Sequence, residues 1–349
     1  MGTRFWPVSR TDIPKQFIDI LGTGKTFLQM TVERFQKIIP IENIFIVTGE
    51  KYKALTLKQI PAIKEEQVLL EPFGRNTAPC IAFANARIKN INPNATIIVS
   101  PADHLIMQED NFLQEMEKGL SFARENDVLV TLGIKPHRPN TGYGYIQIDS
   151  KKRDENAYSN LYKVKTFTEK PTLELAKQFL DSGEFFWNSG MFIWNLKAIE
   201  KEFKKFLPEI FQLFEHQREN LNSEKVVYEI YETVKNLSID YGIMEKAKNV
   251  YVLCADFGWS DLGTWLSLYE IGKKDENENN LCVSQSLLYN AENNIVFSEK
   301  SKKLYVLKDL KGYILVDTDD VLLLVPKDDE QAIKKIVSDL KLKGKDKYL

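Results

Sequence analysis

Thr96-Ile97-Ile98-Val99-Ser100-Pro101-Ala102-Asp103-His104 is a short β-branched run that ends abruptly in a proline and an aspartate. Such a run, without polar alternation, marks a strand covered on both faces. Working upstream, Phe27, Leu28, Val32, Phe35, Ile38 and Ile39 fall on one face of a helix predicted over 26–39. A strand at 44–47, a polar helix near 50–60 and a short strand at 68–70 follow. The next helix is expected from Ala78 to about Ile91, capped by Asn76 or Thr77. This alternation predicts an α/β fold with a doubly wound, mostly parallel, Rossmann-like sheet. In such sheets ligands collect beyond the carboxyl ends of strands, where Asp103 lies. A strand-end aspartate can equally cap the next segment, and the residues alone leave both readings open.

Downstream, strands are expected at 128–131, 144–148, 162–168, 191–194 and 250–253, with a mostly helical stretch over 196–248. A solvated segment at 273–280 marks a change of composition. Beyond it, short β-like runs at 295–298, 304–307, 313–317 and 321–325 precede an amphipathic helix near 328–341. The expected organisation is a catalytic domain over 1–275 and a small β-rich domain over 276–349.

The chain has 349 residues, with 47 basic against 49 acidic side chains and a net charge of −2. That balance argues against general affinity for nucleic acid or membranes, so any phosphate binding must rest on local cations. No apolar run approaches the ~20 residues of a spanning helix. Cys80, Cys254 and Cys282 show no metal-ligand spacing and read as reduced thiols of a cytoplasmic protein. With only His104, His137 and His216, histidine-based chemistry is poorly supplied.

Residues 2–17, G-T-R-F-W-P-V-S-R-T-D-I-P-K-Q-F, set two arginines and a lysine on a loop whose backbone is fixed by Pro7 and Pro14. Cations beside free backbone N–H groups suit a triphosphate, although a solvated arm would read the same. The run resembles the G-x-G-T-R…P-K signature of the sugar-1-phosphate nucleotidyltransferases, in the spelling of the bacterial mannose-1-phosphate guanylyltransferases. There, a strand and two glycines precede G-T-R. The resemblance therefore implies that the first, central strand is missing here, which should leave a hydrophobic slot. Ser100-Pro101-Ala102-Asp103-His104 is similar to that family's metal-binding aspartate motif.

Carried over residue by residue, the resemblance implies that Asp103 and Asp261 hold Mg²⁺. Gly2, Thr3, Arg4 and Lys15 would grip the phosphates of GTP, with Arg10 as a third cation. Glu71, in the run Glu71 to Pro79, would select guanine through its N1–H and 2-amino group, with Arg75, Asn76 and Thr77 beside it. Glu169 and Lys170 of E-K-P, Asn188 and Ser189 of W-N-S-G-M-F, Gly144 of G-Y-G-Y-I and Asp240 of S-I-D-Y would form the sugar-phosphate site. The C-terminal region would resemble a few turns of left-handed β-helix, with no clean hexapeptide repeat visible. The reaction implied is attack of mannose 1-phosphate on the α-phosphorus of GTP, giving GDP-mannose and pyrophosphate. A homodimer is compatible with this reading. The alternatives are a sibling enzyme using another nucleotide or hexose phosphate, and a catalytically impaired binding or regulatory form. A dehydrogenase is disfavoured because no G-x-G-x-x-G turn follows a strand.

Overall fold

A computed structural model describes residues 5–153, 158–298 and 302–349. Chain order begins with α1 (Phe27–Gln36), β1 (Ile46–Gly49), α2 (Lys53–Gln59), β2 (Val68–Glu71), α3 (Thr77–Ile91) and β3 (Thr96–Val99). It continues through β4 (Leu105–Ile106), α4 (Glu109–Glu125), β5 (Leu129–Ile134), β6 (Gly144–Arg153), β7 (Leu161–Glu169) and α5 (Leu173–Ser182). Next come β8 (Phe185–Asn195), α6 (Leu196–Phe206), α7 (Pro208–His216), α8 (Glu224–Thr233), β9 (Val250–Ala255), β10 (Trp259–Ser260) and α9 (Trp265–Ile271). Two compact units emerge, each assembled from separate stretches of chain.

The larger unit comprises Val32–Pro101 and Ile106–Trp259. Its main sheet has the order β3-β8-β5-β9-β7-β6. The α/β class stands, but the ladders revise the expectation of mostly parallel pairing. Only β5–β9 pairs in parallel there, because β8 is inserted antiparallel between β3 and β5, and β7 antiparallel between β9 and β6. Strands β3, β5, β9 and β6 nevertheless run the same way. Strands β1 and β2 make a parallel pair of their own, with no ladder to the larger sheet among the described residues.

Side chains alternate between the sheet's two faces with the strand period of two. Leu129, Phe192, Trp194 and Val252 face one core with Ile81 of α3, Phe203 of α6, Phe214 of α7 and Ile230 of α8. Val130, Leu132, Ile193 and Leu253 face the other with Met116 and Phe122 of α4 and Phe179 of α5. Helices α4 and α9 are additions to the elements expected from sequence. In α4, Phe112, Leu113, Met116, Phe122 and Ala123 keep helical spacing and are buried.

The second unit comprises the chain up to Thr31, Ala102–Leu105 and Ser260–Leu349. It adds β11 (Asn280–Cys282), β12 (Gln285–Tyr289), β13 (Ile295–Ser298), β14 (Leu304–Lys308), β15 (Tyr313–Asp317), β16 (Leu322–Pro326) and α10 (Ala332–Leu342). Successive strands alternate between two layers. β11, β13 and β15 pair in parallel in one, β12 and β14 in parallel in the other, and β16 returns antiparallel to β15. Buried asparagines stack between successive passes. Asn279 Nδ2 donates to Ala291 O at 2.8 Å, Asn294 Nδ2 to Leu310 O at 2.8 Å, and Asn294 Nδ2 also to Asn279 Oδ1 at 2.9 Å. The N-terminal loop belongs to this core. Phe5, Trp6, Val8 and Ile20 pack with Trp265, Phe297, Ile314 and Ile333. Trp265 Nε1 donates to Trp6 O at 3.2 Å, and Trp6 Nε1 to Tyr348 O at 2.7 Å.

Candidate active site

Pro14 leads into a single 3₁₀ turn, Lys15–Phe17, which turns Lys15 inward until it is only 5% exposed. Its Nζ lies 3.2 Å from Asp103 Oδ2 and donates to Asp261 O at 2.5 Å. One ammonium therefore joins two aspartates 158 positions apart in sequence. The Phe27 ring packs 5.2 Å from the same Nζ and excludes water from one side. Burial by itself would raise the Asp103 carboxyl, but the charges of Lys15 and His104 and the hydrogen bond from Lys15 hold it below the usual range. Asp103 is thus ionised at neutral pH.

Asp261 sits in a tight turn. Its Oδ1 accepts from Gly263 N–H at 3.1 Å, and a Cβ on Gly263 would fall 2.8 Å from Asp261 Oδ2. The intervening Leu262 adopts φ 41°, a left-handed conformation that costs a side chain ~1–2 kcal/mol. Strain of this kind recurs at Lys170 (φ 49°) and Asn76 (φ 69°), so three motifs expected to carry function each hold a strained residue. Arg10 is placed otherwise than expected. Its guanidinium chelates the Asp320 carboxylate, with Nη1 at 2.8 Å from Oδ2 and Nη2 on Oδ1, and Nε reaches Pro7 O at 2.8 Å. Gly2, Thr3 and Arg4 lie outside the described residues.

In the larger unit, Asn188 of β8 organises a carboxylate pocket. Its Nδ2 donates to Asp240 Oδ1 at 2.9 Å and approaches Glu169 Oε1 at 3.5 Å, while Gly190 N–H holds its Oδ1 at 3.1 Å. Glu169 ends β7 opposite Gly144 of β6. Gly144 is required there, because a Cβ would stand 2.0 Å from Glu169 Oε1. Burial, followed by the neighbouring Asp240 charge, pushes the Glu169 carboxyl up to about 6, while Asn188 and Lys170 oppose the shift. Asp240 is raised by burial against the Asn188 hydrogen bond, and it opens a π-helical turn, Asp240–Met244, a form that concentrates at functional sites. Ser189 takes the opposite face of β8. It is 1% exposed and its Oγ donates to Leu132 O at 2.8 Å, so the expected contact with a sugar ring is replaced by a bond inside the sheet.

The third group surrounds the end of β2. Glu71 Oε1 accepts from Tyr231 Oη at 2.9 Å, and burial pushes the Glu71 carboxyl up to about 7 despite that bond. Arg75 donates through Nε to Tyr231 O at 2.9 Å. Asn76 Oδ1 accepts from Thr77 N–H at 2.9 Å as the cap of α3, and Thr77 Oγ1 accepts from Ile239 N–H at 2.8 Å. Residues 75–77 therefore tie the Glu71 strand to α8 and to the turn that leads into Asp240. Tyr231 is the residue that sequence reasoning missed. It reads as an ordinary aromatic on the buried face of α8, and nothing near it in sequence signals a partner 160 positions away.

Among the described residues no group of three or more histidine, cysteine, aspartate or glutamate side chains could hold a metal ion. A magnesium ion commonly takes only one or two protein carboxylates and completes its shell with water and phosphate. Asp103 and Asp261 match that demand in number and chemistry, and the Asp103 carboxylate already holds one cation, the Lys15 ammonium, which also meets the backbone carbonyl of Asp261.

Residues 1–278 match the family model described as Nucleotidyl transferase, and the chain belongs to that family. More specific likenesses follow. The mannose-1-phosphate guanylyltransferase of Salmonella montevideo is 35% identical over 100% of this chain and 74% of its own length, and one from Escherichia coli is 32% identical over 99% and 75%. The crystal structure described as a mannose-1-phosphate geranyltransferase from Thermus thermophilus superposes with a TM-score of 0.87, at 29% identity. It covers 97% of this chain and 96% of that one.

Proposed function

We propose that this chain transfers GMP from GTP to α-D-mannose 1-phosphate, releasing pyrophosphate and forming GDP-mannose. The observation that carries the reading is the Lys15 ammonium held between the Asp103 carboxylate and the Asp261 backbone carbonyl, in a chain matched almost end to end by enzymes of that name. A sugar 1-phosphate is already an ionised nucleophile at neutral pH, so no side chain need activate it. What remains is to bring two polyanions together, in line, and to stabilise charge leaving with pyrophosphate.

Asp103 and Asp261 would hold Mg²⁺, which when bound neutralises charge on phosphate oxygens. Lys15, released from the carboxylate, supplies a buried positive charge to the triphosphate, and Arg4, Gly2 and Thr3 would serve the same phosphates. Glu169 and Asp240 accept sugar hydroxyl protons, Asn188 fixes both carboxylates, and Lys170 binds the incoming phosphate. Gly144 leaves room for Glu169. Glu71, set by Tyr231, reads the guanine edge, while Arg75, Asn76 and Thr77 support that loop. We further propose a catalytic domain over 1–275 and a left-handed β-helix-like domain over 276–349, in a cytoplasmic protein with free Cys80, Cys254 and Cys282.

A pyrophosphate-release screen crossing the common nucleoside triphosphates with hexose 1-phosphates tests the assignment. GTP with mannose 1-phosphate should give the highest kcat/KM. A different pair that is tenfold better would transfer the chain to a sibling specificity.

A further inference from the structure

We propose that Tyr231 is a specificity-determining positioning residue, whose hydroxyl keeps Glu71 a two-oxygen acceptor and thereby separates guanine from purines that lack the 2-amino group. The inference rests on the reading that Glu71 meets the guanine edge. Among the described residues Tyr231 Oη, 2.9 Å from Oε1, is the sole hydrogen-bond donor to that carboxylate. Tyr231 is fully buried and Glu71 half-buried, so the phenol reaches the carboxylate from the core side. One acceptor site of Oε1 is taken, and the other oxygen keeps both of its own.

The phenol is itself fixed. Its ring meets Phe83 and Phe214 edge to face, with centroids 6.1 and 6.0 Å away, and the Tyr231 carbonyl accepts from Arg75 Nε at 2.9 Å. Burial, followed by the Glu71 charge, pushes the phenol well above its ordinary range, so it remains a donor wherever Glu71 titrates. The other titratable groups around this strand end bring no counter-charge to Glu71. Cys80 of α3 is a thiol raised by burial and then by Glu71 itself. The Arg75 guanidinium is turned to the carbonyls of Tyr231 and Glu232. On the β1 side, the Tyr52 ring lies against Gly49, the residue paired with Glu71.

An ionised carboxylate offers acceptors only, whereas a protonated carboxyl offers one donor and one acceptor. Guanine presents two donors side by side, N1–H and the 2-amino group, and is matched by the ionised form alone. Hypoxanthine keeps N1–H and carries hydrogen in place of the amino group. An ionised Glu71 therefore favours guanine by one charge-assisted bond, about 10- to 100-fold. Burial pushes Glu71 up to about 7, and the Tyr231 bond opposes that rise. Without the hydroxyl, Glu71 holds its proton at neutral pH and the advantage of guanine disappears.

Pyrophosphate release by the full chain at saturating mannose 1-phosphate tests this, read as the ratio of kcat/KM for GTP to that for ITP. The two nucleotides differ only at the 2-amino group, so a general change in fold, metal binding or chemistry moves both and leaves the ratio alone. Tyr231→Phe keeps the packed ring and removes the hydroxyl. Its ratio at neutral pH should fall about tenfold below that of wild type. The ratio should recover as pH rises beyond about 8, where Glu71 ionises without help. KM for mannose 1-phosphate should stay within about twofold of wild type. Should the phenylalanine variant not fold, Tyr231→Met, which fills the space without a donor, is read in its place. Glu71→Gln should give a low ratio at every pH. A folded variant lacking the hydroxyl that keeps the wild-type ratio, or a deficit that pH does not move, would overturn the role of Tyr231. Full discrimination by Glu71→Gln, or a wild-type ratio near one, would instead overturn the reading of Glu71 on which it rests.

Discussion

Gly144→Ala isolates the sugar pocket from the rest of the molecule. A methyl group at this position would lie 2.0 Å from Glu169 Oε1, 2.8 Å from its Cδ and 3.3 Å from Asn188 Cβ. The first two atoms end a flexible side chain, so the conflict is relieved by rotating the carboxylate away, with little strain left in the sheet. Stability should fall by less than ~1 kcal/mol, because no core atom is removed. Sugar binding should suffer far more. A hydrogen bond to a charged group contributes about 1.5–3 kcal/mol, so displacing Glu169 should raise KM for the sugar phosphate roughly 10- to 100-fold. KM for the nucleotide should stay within about twofold of wild type if Glu169 serves the sugar alone. The assay is steady-state pyrophosphate release with each substrate varied in turn, accompanied by a urea melt. Glu169→Gln provides the cross-check. Once alanine has moved the carboxylate, glutamine at 169 should add little further loss, so the pair should be strongly non-additive. An unchanged sugar-phosphate KM in a folded Gly144→Ala protein would refute the placement of Glu169 in the pocket.

Glu71 makes stability depend on pH. Its folded-state pKa of about 7 lies above its ordinary 4.5, so the folded chain holds the proton more tightly than the unfolded one. That contribution is complete below the lower value and is lost as pH rises through the upper one, by up to about 3 kcal/mol. Glu71→Gln should flatten this slope in urea melts across the window, and an unaltered slope would remove Glu71 as its source. Lys15→Met should lower kcat by about 100-fold or more, while divalent-cation binding, followed with Mn²⁺ by electron paramagnetic resonance, should tighten because the competing ammonium is gone. A loss of cation affinity instead would contradict the view that Lys15 occupies the cation's seat. Arg75→Ala should cost about 1–3 kcal/mol of stability through its lost bond to Tyr231 O, and weakened nucleotide binding without destabilisation would reverse that structural assignment. Chelation should abolish pyrophosphate release and added Mg²⁺ should restore it, whereas full turnover in excess chelator would dismiss the metal.

Local residue patterns carried much of the architecture. The β-branched run at β3, the alternation of helices and strands before it, and the short strands β13 to β16 all stand where periodicity places them, because side-chain spacing reports directly on which face of an element is buried. Pairing partners were beyond its reach. Strand direction in the main sheet depends on β8 entering between β3 and β5, a long-range choice that no window of neighbouring residues encodes. The motifs likewise pointed to Asp103, Asp261, Glu169 and Asn188, but a motif names side-chain types without stating their contacts. Only folding revealed that Lys15 joins the two aspartates, that Arg10 is engaged by Asp320, that Ser189 faces into the sheet, and that Tyr231 sets Glu71. Each of these rests on hydrogen-bond or ion-pair geometry between residues far apart in the chain. The placement of the N-terminal loop in the core of the C-terminal strands has the same origin, since apolar burial acts between whatever surfaces the completed backbone brings together.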